Sequence, residues 1–578
     1  MLIDFAPRKS AKKVHRHVFR LQKRLDRATR RGDVSTGHKL QKLLVKSWYA
    51  RLLAVRRITQ DNRGRHTAGI DGVKSLTPPQ RWRLAHELGL DGTASALRRT
   101  WSPKRGSTTD KRPLGIPTQA ERARQTLVRQ ALEPQWEAQL SAHAYGFRPG
   151  RSCQDAIGAI FTTRRYRPQS ALKIAIAKCF ATIDHQALVA KVQTPPHIRR
   201  HLKAWLQAGI LEDGHFFPTP AGTPQGGSCS PLLALMALHG MEEAITQLYP
   251  HARGITYADD GVVLHEDRQV LEPCQELLKT ELAQMGLSLH EATSHIRHTL
   301  EGEQAGFACL GWDIRQYRVG KHQSGKGPRG QRRLGDKTLI KPDKANVKAH
   351  LAELGRIIQR GRALPQGLLI RQLNPKIRGW ANYYRTGVSQ AVYHRLDHLL
   401  WIKLRSWARW RHPHKSIGWV TRRYWHRLGA RLTCATSTTD PEAASLRAHS
   451  EVRMTRHGNG QGHRSPYDGD WVYWSTRQGR HPMTSAKLAR LLNEQQGRCR
   501  YCGLFFHHDD RIEVDHSNGN HRDARSANLQ ALHGHCHNAK TREHQDYLPP
   551  GRRDKRQDTE ERSAWKQACS DLEQRQAG

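Results

Sequence analysis

Apolar residues near the start of the chain recur at helical spacing: Val14, Val18, Leu21 and Leu25 share one face, with Arg16, Arg20, Lys23 and Arg24 between them. This predicts an amphipathic helix with one packing face and a basic remainder. A second helix is expected from Leu40 to Ile58. The pattern turns strand-like around two adjacent carboxylates, Asp259 and Asp260, with Ile255 and Tyr257 before them and Val262, Val263 and Leu264 after. That reads as two strands joined by a tight turn, and the Asp260-Gly261 step favours a hairpin. Residues 322–333 are Gly-rich, basic and aperiodic, as in an exposed loop. Beyond them Val347, Leu351, Leu354 and Ile358 return to helical spacing. Trp401, Trp407, Trp410, Trp419 and Trp425 then alternate with cations such as Arg405, Arg409 and Lys415. Most of these tryptophans are expected in a helical core, leaving the cations to neutralise phosphates. From Cys434 to Pro482 the chain is rich in Ser, Thr, Gly and His with little periodicity, as expected of a linker.

Lys and Arg number 96 against 51 Asp and Glu in 578 residues, a formal net charge of +45. That surplus exceeds what solubility needs, and its spread along the chain points to a polyanionic partner, a folded RNA fitting best. An anionic membrane surface is the competing partner. No apolar run approaches the ~20 residues that span a bilayer, and Met1 to Phe5 lead into a basic stretch without a signal-like apolar core. The expectation is a soluble, cytoplasmic protein with no membrane partner. Ten cysteines are too few and scattered for a disulfide framework. With 37% hydrophobic residues, several domains of ordinary size are expected.

Two motifs carry chemistry. Asp259 and Asp260, held at a sheet edge, have the oxygen ligands that Mg²⁺ prefers, although a pair of ions needs ligands from more than one strand. Taken alone, the pair is also ordinary turn chemistry. Cys499 and Cys502 form a tight knuckle, and His533 and Cys536 repeat its separation downstream. Together they fit a closed tetrahedral site for a structural Zn²⁺, the bland alternative being a reduced thiol pair.

Five blocks occur in order: Lys111-Arg112-Pro113-Leu114-Gly115-Ile116-Pro117-Thr118, Tyr145-Gly146-Phe147-Arg148-Pro149-Gly150-Arg151-Ser152, Gly222-Thr223-Pro224-Gln225-Gly226-Gly227-Ser228, Tyr257-Ala258-Asp259-Asp260 and a segment from Phe307 to Tyr317. Their order and spacing resemble the reverse transcriptase domain of bacterial group II intron-encoded proteins. Segments from Thr67 to Gly72 and from Leu373 to Arg385 extend the resemblance over nearly the whole chain. It implies an α+β chain with a right-hand reverse transcriptase fold of fingers and palm. A helical thumb or maturase domain and a small zinc-stabilised ββα-metal HNH domain would follow. The implied borders are an RNA-binding extension over 1–75, fingers and palm over 76–320, and thumb or domain X over 321–435. A linker and DNA-binding region over 436–485, the HNH domain over 486–550 and a charged tail over 551–578 complete the chain. Lys111, Arg112, Phe180, Gln225 and Tyr257 would contact nucleotide or template, and Asp259 and Asp260 would be catalytic and hold Mg²⁺.

The chain departs from the family at Ala175, five residues before Phe180, where the pattern places a catalytic aspartate. Ala177 and Ala181 stand where acidic residues are usual, and Ala292 where lysine is usual. Losing one bridging carboxylate should cost roughly a hundredfold to many-thousandfold in rate. Asp184, nine residues past Ala175, is not expected to rescue the site.

Glu513-Val514-Asp515-His516, Asn528-Leu529-Gln530 and Cys536-His537-Asn538 resemble an HNH endonuclease. By that resemblance His516 is the general base, Asp515 and His537 hold a divalent ion such as Mg²⁺, and Asn528 orients His516 and constrains its loop. The implied protein binds its group II intron RNA, as lariat, promotes splicing and reverse splicing, and nicks target DNA. Two alternatives are an active reverse transcriptase performing target-primed synthesis and an RNA-binding splicing factor whose zinc knuckle binds DNA without cutting it.

Overall fold

The computed structural model describes residues 8–103, 111–164, 167–320, 322–325, 333–436, 444–460 and 462–545. The expected charged tail and most of the loop at 322–333 lie outside them. Two compact units emerge. The first comprises Met1–Ile160, Ser170–Ile296 and Asn459–Pro549, and the second, among the described residues, Phe161–Gln169 and Arg297–Gly458. Contacts thus group the strands after residue 306 with the thumb helices, whereas the sequence borders place them with the palm. Among the described residues no helix is long and apolar enough to cross a membrane.

The first unit begins with a helix over Arg8–Arg30 whose Val14, Val18, Leu21 and Leu25 are buried, as the spacing predicts. The helix expected over Leu40 to Ile58 is instead two: Val34–Lys46, capped by the Asp33 carboxylate accepting from the Thr36 N–H at 2.9 Å, and Trp48–Arg56. Ser47 between them is extended, with φ −67° and ψ 124°. Apolar spacing runs on through this break because both helices bury residues in the same core, so periodicity alone does not reveal it. The long helix Gln119–Gln139 runs through that core, burying Leu127, Val128, Ala131 and Leu132.

Two sheets flank the core. One has the order Lys111–Ile116, Leu97–Pro103, Ile210–Glu212, His215–Phe217, with the middle two strands parallel. In the other, Asp260–His265 pairs antiparallel with both Arg253–Tyr257 and Ser170–Ala175. The carboxyl-terminal module of this unit is a ββα arrangement: strands Ile512–His516 and Leu529–His533 pair antiparallel and the helix Gly534–Gln545 follows. Its own small core gathers Leu491, Leu492, Phe506, Ala531 and Leu532 around the cysteines.

The second unit joins a three-stranded sheet, ordered Asp336–Pro342, Trp312–Arg318, Phe307–Cys309, to helices Lys344–Arg360, Gln366–Tyr384, Gln390–Arg411 and Ile417–Tyr424. Leu354 and Ile358 are buried in its helical core together with Trp407 and Trp425. Trp401 and Trp419 are half-buried, and Trp410 is exposed. The aromatic ladder is therefore only partly core.

Candidate functional site

The palm hairpin turns one residue earlier than its sequence suggests. Tyr257 pairs with Asp260, so Ala258 and Asp259 form the turn and the Asp260-Gly261 step lies inside the second strand. Ala258 takes the left-handed conformation, φ 56°, in place of the glycine. Packing enforces it: the Tyr145 N–H donates to the Thr256 carbonyl at 2.9 Å, and a Cβ on Gly146 would collide with the Ala258 nitrogen. The turn is clamped by the Tyr-Gly-Phe-Arg block, which outweighs local turn preference.

Ala175 lies opposite Asp260 in the antiparallel ladder, and the Ile176 N–H donates to the Asp259 carbonyl at 3.0 Å. The tertiary structure thus brings the departure site beside both carboxylates. Directly opposite residues share a face, so the Ala175 methyl stands where a third carboxylate would meet Asp260. Lys173, two residues earlier on the same face, reaches across the diagonal and donates from Nζ to Asp260 Oδ1 at 2.6 Å. Burial and the Asp260 charge push the Asp259 carboxyl up to about 6, against the opposing pull of Lys173 and Arg112. Asp184 is occupied elsewhere: it caps the helix His185–Lys191, accepting from the Ala187 N–H at 2.7 Å. One carboxylate bonded to a lysine and a methyl in third place leave this edge short of the several oxygen ligands that a two-ion centre needs. Of the other candidate palm residues, Arg112 is close enough to act on the Asp259 charge. Phe180 packs edge-on against Phe147 with ring centroids 5.6 Å apart, and the Gln225 carbonyl accepts from the Gly115 N–H on the strand that carries Lys111 and Arg112.

The knuckle residues converge. Cys499, Cys502, His533 and Cys536 are buried, with ligand atoms all within 4.8 Å of one another. His533 turns Nδ1 toward the sulfurs, 3.4 Å from Cys502 and 4.0 Å from Cys536. Its Nε2 lies 3.3 Å from Asp510 Oδ2, the outer carboxylate that commonly orients a metal-bound imidazole. The donor set fits a closed structural Zn²⁺ site, and a module with so small a core needs such a staple.

On the same unit, Asp515 Oδ1 stands 3.5 Å from His537 Nε2. Two neighbouring ligands of one ion, each at about 2.1 Å in tetrahedral array, would be roughly 3.4 Å apart, so this pair fits a shared divalent cation. Three residues to which the sequence reading gave no role complete the setting. Glu513 Oε2 lies 2.8 Å from His537 Nδ1, which leaves Nε2 as the metal-facing nitrogen. Gln530 and Lys540 donate to Asp515 Oδ2 at 2.7 Å and 2.6 Å. Lys540 also donates to the His516 and Ser517 carbonyls at 2.6 Å and 3.2 Å, fixing the strand end that carries His516. Asn528 ties the following loop: its Oδ1 accepts from the Asn518 N–H at 3.0 Å and its Nδ2 donates to the Asp523 carbonyl at 2.9 Å. Alternation along the strand pointed to Glu513, two residues from Asp515; Gln530 and Lys540 needed the register and the helix placement.

Family models match in the order of these elements. The N-terminal domain of reverse transcriptase matches residues 10–88 and the reverse transcriptase (RNA-dependent DNA polymerase) domain residues 102–314. The group II intron maturase-specific domain matches 347–425 and the HNH endonuclease domain 499–543. The chain thus carries reverse transcriptase, group II intron maturase-specific and HNH endonuclease domains in one sequence. Among curated relatives, the group II intron-encoded protein LtrA of Lactococcus lactis is 34% identical over 197 residues, 32% of each chain. Protein YkfC of Escherichia coli is 31% identical over 206 residues, 33% of this chain and 54% of that protein. Maturase-like protein 1 of Euglena gracilis is 28% identical over 241 residues, 39% of this chain and 50% of that protein. The matched regions thus span about half or less of these relatives.

Proposed function

We propose that this protein binds a group II intron RNA, promotes its splicing and reverse splicing as a maturase, and nicks target DNA with its HNH domain, while its polymerase is impaired at Ala175. The observation that carries the reading is the Asp515–His537 pair, 3.5 Å apart on a ββα unit beside a buried three-cysteine, one-histidine cluster. Asp515 and His537 would hold the divalent ion, with Glu513 fixing the imidazole tautomer and Lys540 neutralising the second Asp515 oxygen. When bound, the ion stabilises charge developing on the scissile phosphate and the leaving 3′ oxygen. An imidazole in its neutral form accepts a proton, and His516 would take that of the attacking water. Asn528 holds the loop after His516 in shape, and Cys499, Cys502, His533 and Cys536 would keep strand and helix together by holding Zn²⁺. The maturase role asks no side chain for chemistry: cations among the half-buried and exposed tryptophans offset repulsion between packed RNA helices.

The test is a nicking assay on duplex DNA with the protein bound to a group II intron transcript. His516→Ala should slow cleavage about a hundredfold or more with splicing unchanged. Equal cleavage by the variant would remove the nuclease reading and leave the non-cutting splicing factor. Primer extension on an RNA template with Mg²⁺ tests the palm. Extension by the unmodified chain as fast as by Ala175→Asp would restore the active reverse transcriptase.

A further inference from the structure

The palm carries a cation of its own. Lys173 is buried on the central strand Ser170–Ala175, and its Nζ lies 2.6 Å from Asp260 Oδ1. Its register partner is Val262, two residues from Asp260, so the pair spans the diagonal that long side chains bridge. Ala175, opposite Asp260, lies on the same face. A buried ammonium requires a partner, and Asp260 is the carboxylate that meets it.

We infer that Lys173 holds this palm without metal, its ammonium taking the charge-balancing place of a divalent ion, so that a carboxylate returned to position 175 alone does not rebuild a metal centre. The inference rests on the reading that Ala175 vacates a ligand position. The physical reason is competition at short range. A carboxylate at 175 faces Asp260 and lies two residues from Lys173, so the first positive charge it meets is fixed and already desolvated. An incoming Mg²⁺ must share Asp260 with that ammonium or displace it, and like-charge repulsion weakens its binding either way. The emptied ligand and the lysine are thus two halves of one conversion, from an ion-binding edge to an internally neutralised one.

The experiment uses the full zinc-loaded chain in a His537→Ala background, which silences the HNH ion site. Mn²⁺ is the probe, and its free concentration is read by electron paramagnetic resonance. Four forms are compared: Ala175 unchanged, Ala175→Asp, Lys173→Met, and the double variant Lys173→Met with Ala175→Asp. Lys173→Gln, which keeps a donor for Asp260, replaces Lys173→Met if the latter lowers the melting temperature. The expected result is Mn²⁺ binding about tenfold or more tighter in the double variant than in Ala175→Asp, the cost of one like charge removed at short range. Equal affinity of Ala175→Asp and the double variant overturns the inference, as does the absence of binding in both. Primer extension separates the two readings. Activity of the unmodified chain equal to that of Ala175→Asp defeats the vacancy itself, whereas full recovery by Ala175→Asp alone defeats only the role of Lys173.

Discussion

His201 shows how one side chain sets a pH limit on the fold. It is fully buried on the helix Pro196–Leu206 and accepts the Gly92 N–H at Nδ1, 3.0 Å away. Burial first, then the Arg124 charge, lowers its pKa from 6.5 to about 4, with Asp91 opposing. Between those values the unfolded chain binds a proton that the folded chain refuses, so stability is full above pH 6.5 and is lost as pH falls toward 4. The loss attributable to this group is about 2–3 kcal/mol. His201→Asn, which keeps an acceptor for Gly92, should flatten denaturant-unfolding stability between pH 7 and pH 4 relative to the unmodified chain. An unchanged slope would mean that other groups carry the acid sensitivity.

At the scale of elements, the palm turn is shaped by its neighbour. Ala258 pays the left-handed penalty of about 1–2 kcal/mol because His143 and Tyr145 bond to Thr256 and Gly146 packs against the Ala258 backbone. Ala258→Gly should therefore be neutral or stabilising by up to about 1 kcal/mol in thermal unfolding. Gly146→Ala should destabilise by about 3 kcal/mol or more, since its Cβ has no room beside the Ala258 backbone. A Gly146→Ala chain that melts like the parent would show that the turn can shift, and the clamp would then not explain its position.

Over the whole first unit, the HNH module is seated on the amino-terminal helices. Phe19 stacks on His507 with ring centroids 3.7 Å apart, and Asp509 lies 3.5 Å from Arg57 and 3.6 Å from Arg129. Burial alone would raise the Asp509 carboxyl, but Arg129, His508 and Arg57 hold it well below the usual range. Arg477 pairs with Asp155, and Trp474 covers Gly150, anchoring the segment that leads into the module. Asp509→Asn leaves two guanidinium groups facing a neutral amide and should cost about 1–3 kcal/mol of seating. Hydrogen exchange should quicken at residues 507–510 and 14–25 and stay unchanged in the palm strands. Equal exchange at both sites would make the ion pair idle.

Much of the candidate chemistry was legible in the chain because it depends on residue type and short spacing: the paired Cys499/Cys502 and His533/Cys536 ligands, the Asp515-His516 dipeptide and the Asp259-Asp260 pair. The first helix was legible because its buried face repeats every three or four residues. The break at Ser47 and the true position of the palm turn were not, since long-range packing overrules local preference at both. Lys173, Gln530 and Lys540 look like ordinary charged or polar positions until register and helix placement bring them onto Asp260 and Asp515. The sequence by itself determined which donor atoms exist and that an alanine stands at position 175. Only the tertiary structure decided which charges neutralise one another, because that depends on distances of a few ångströms between residues far apart in the chain.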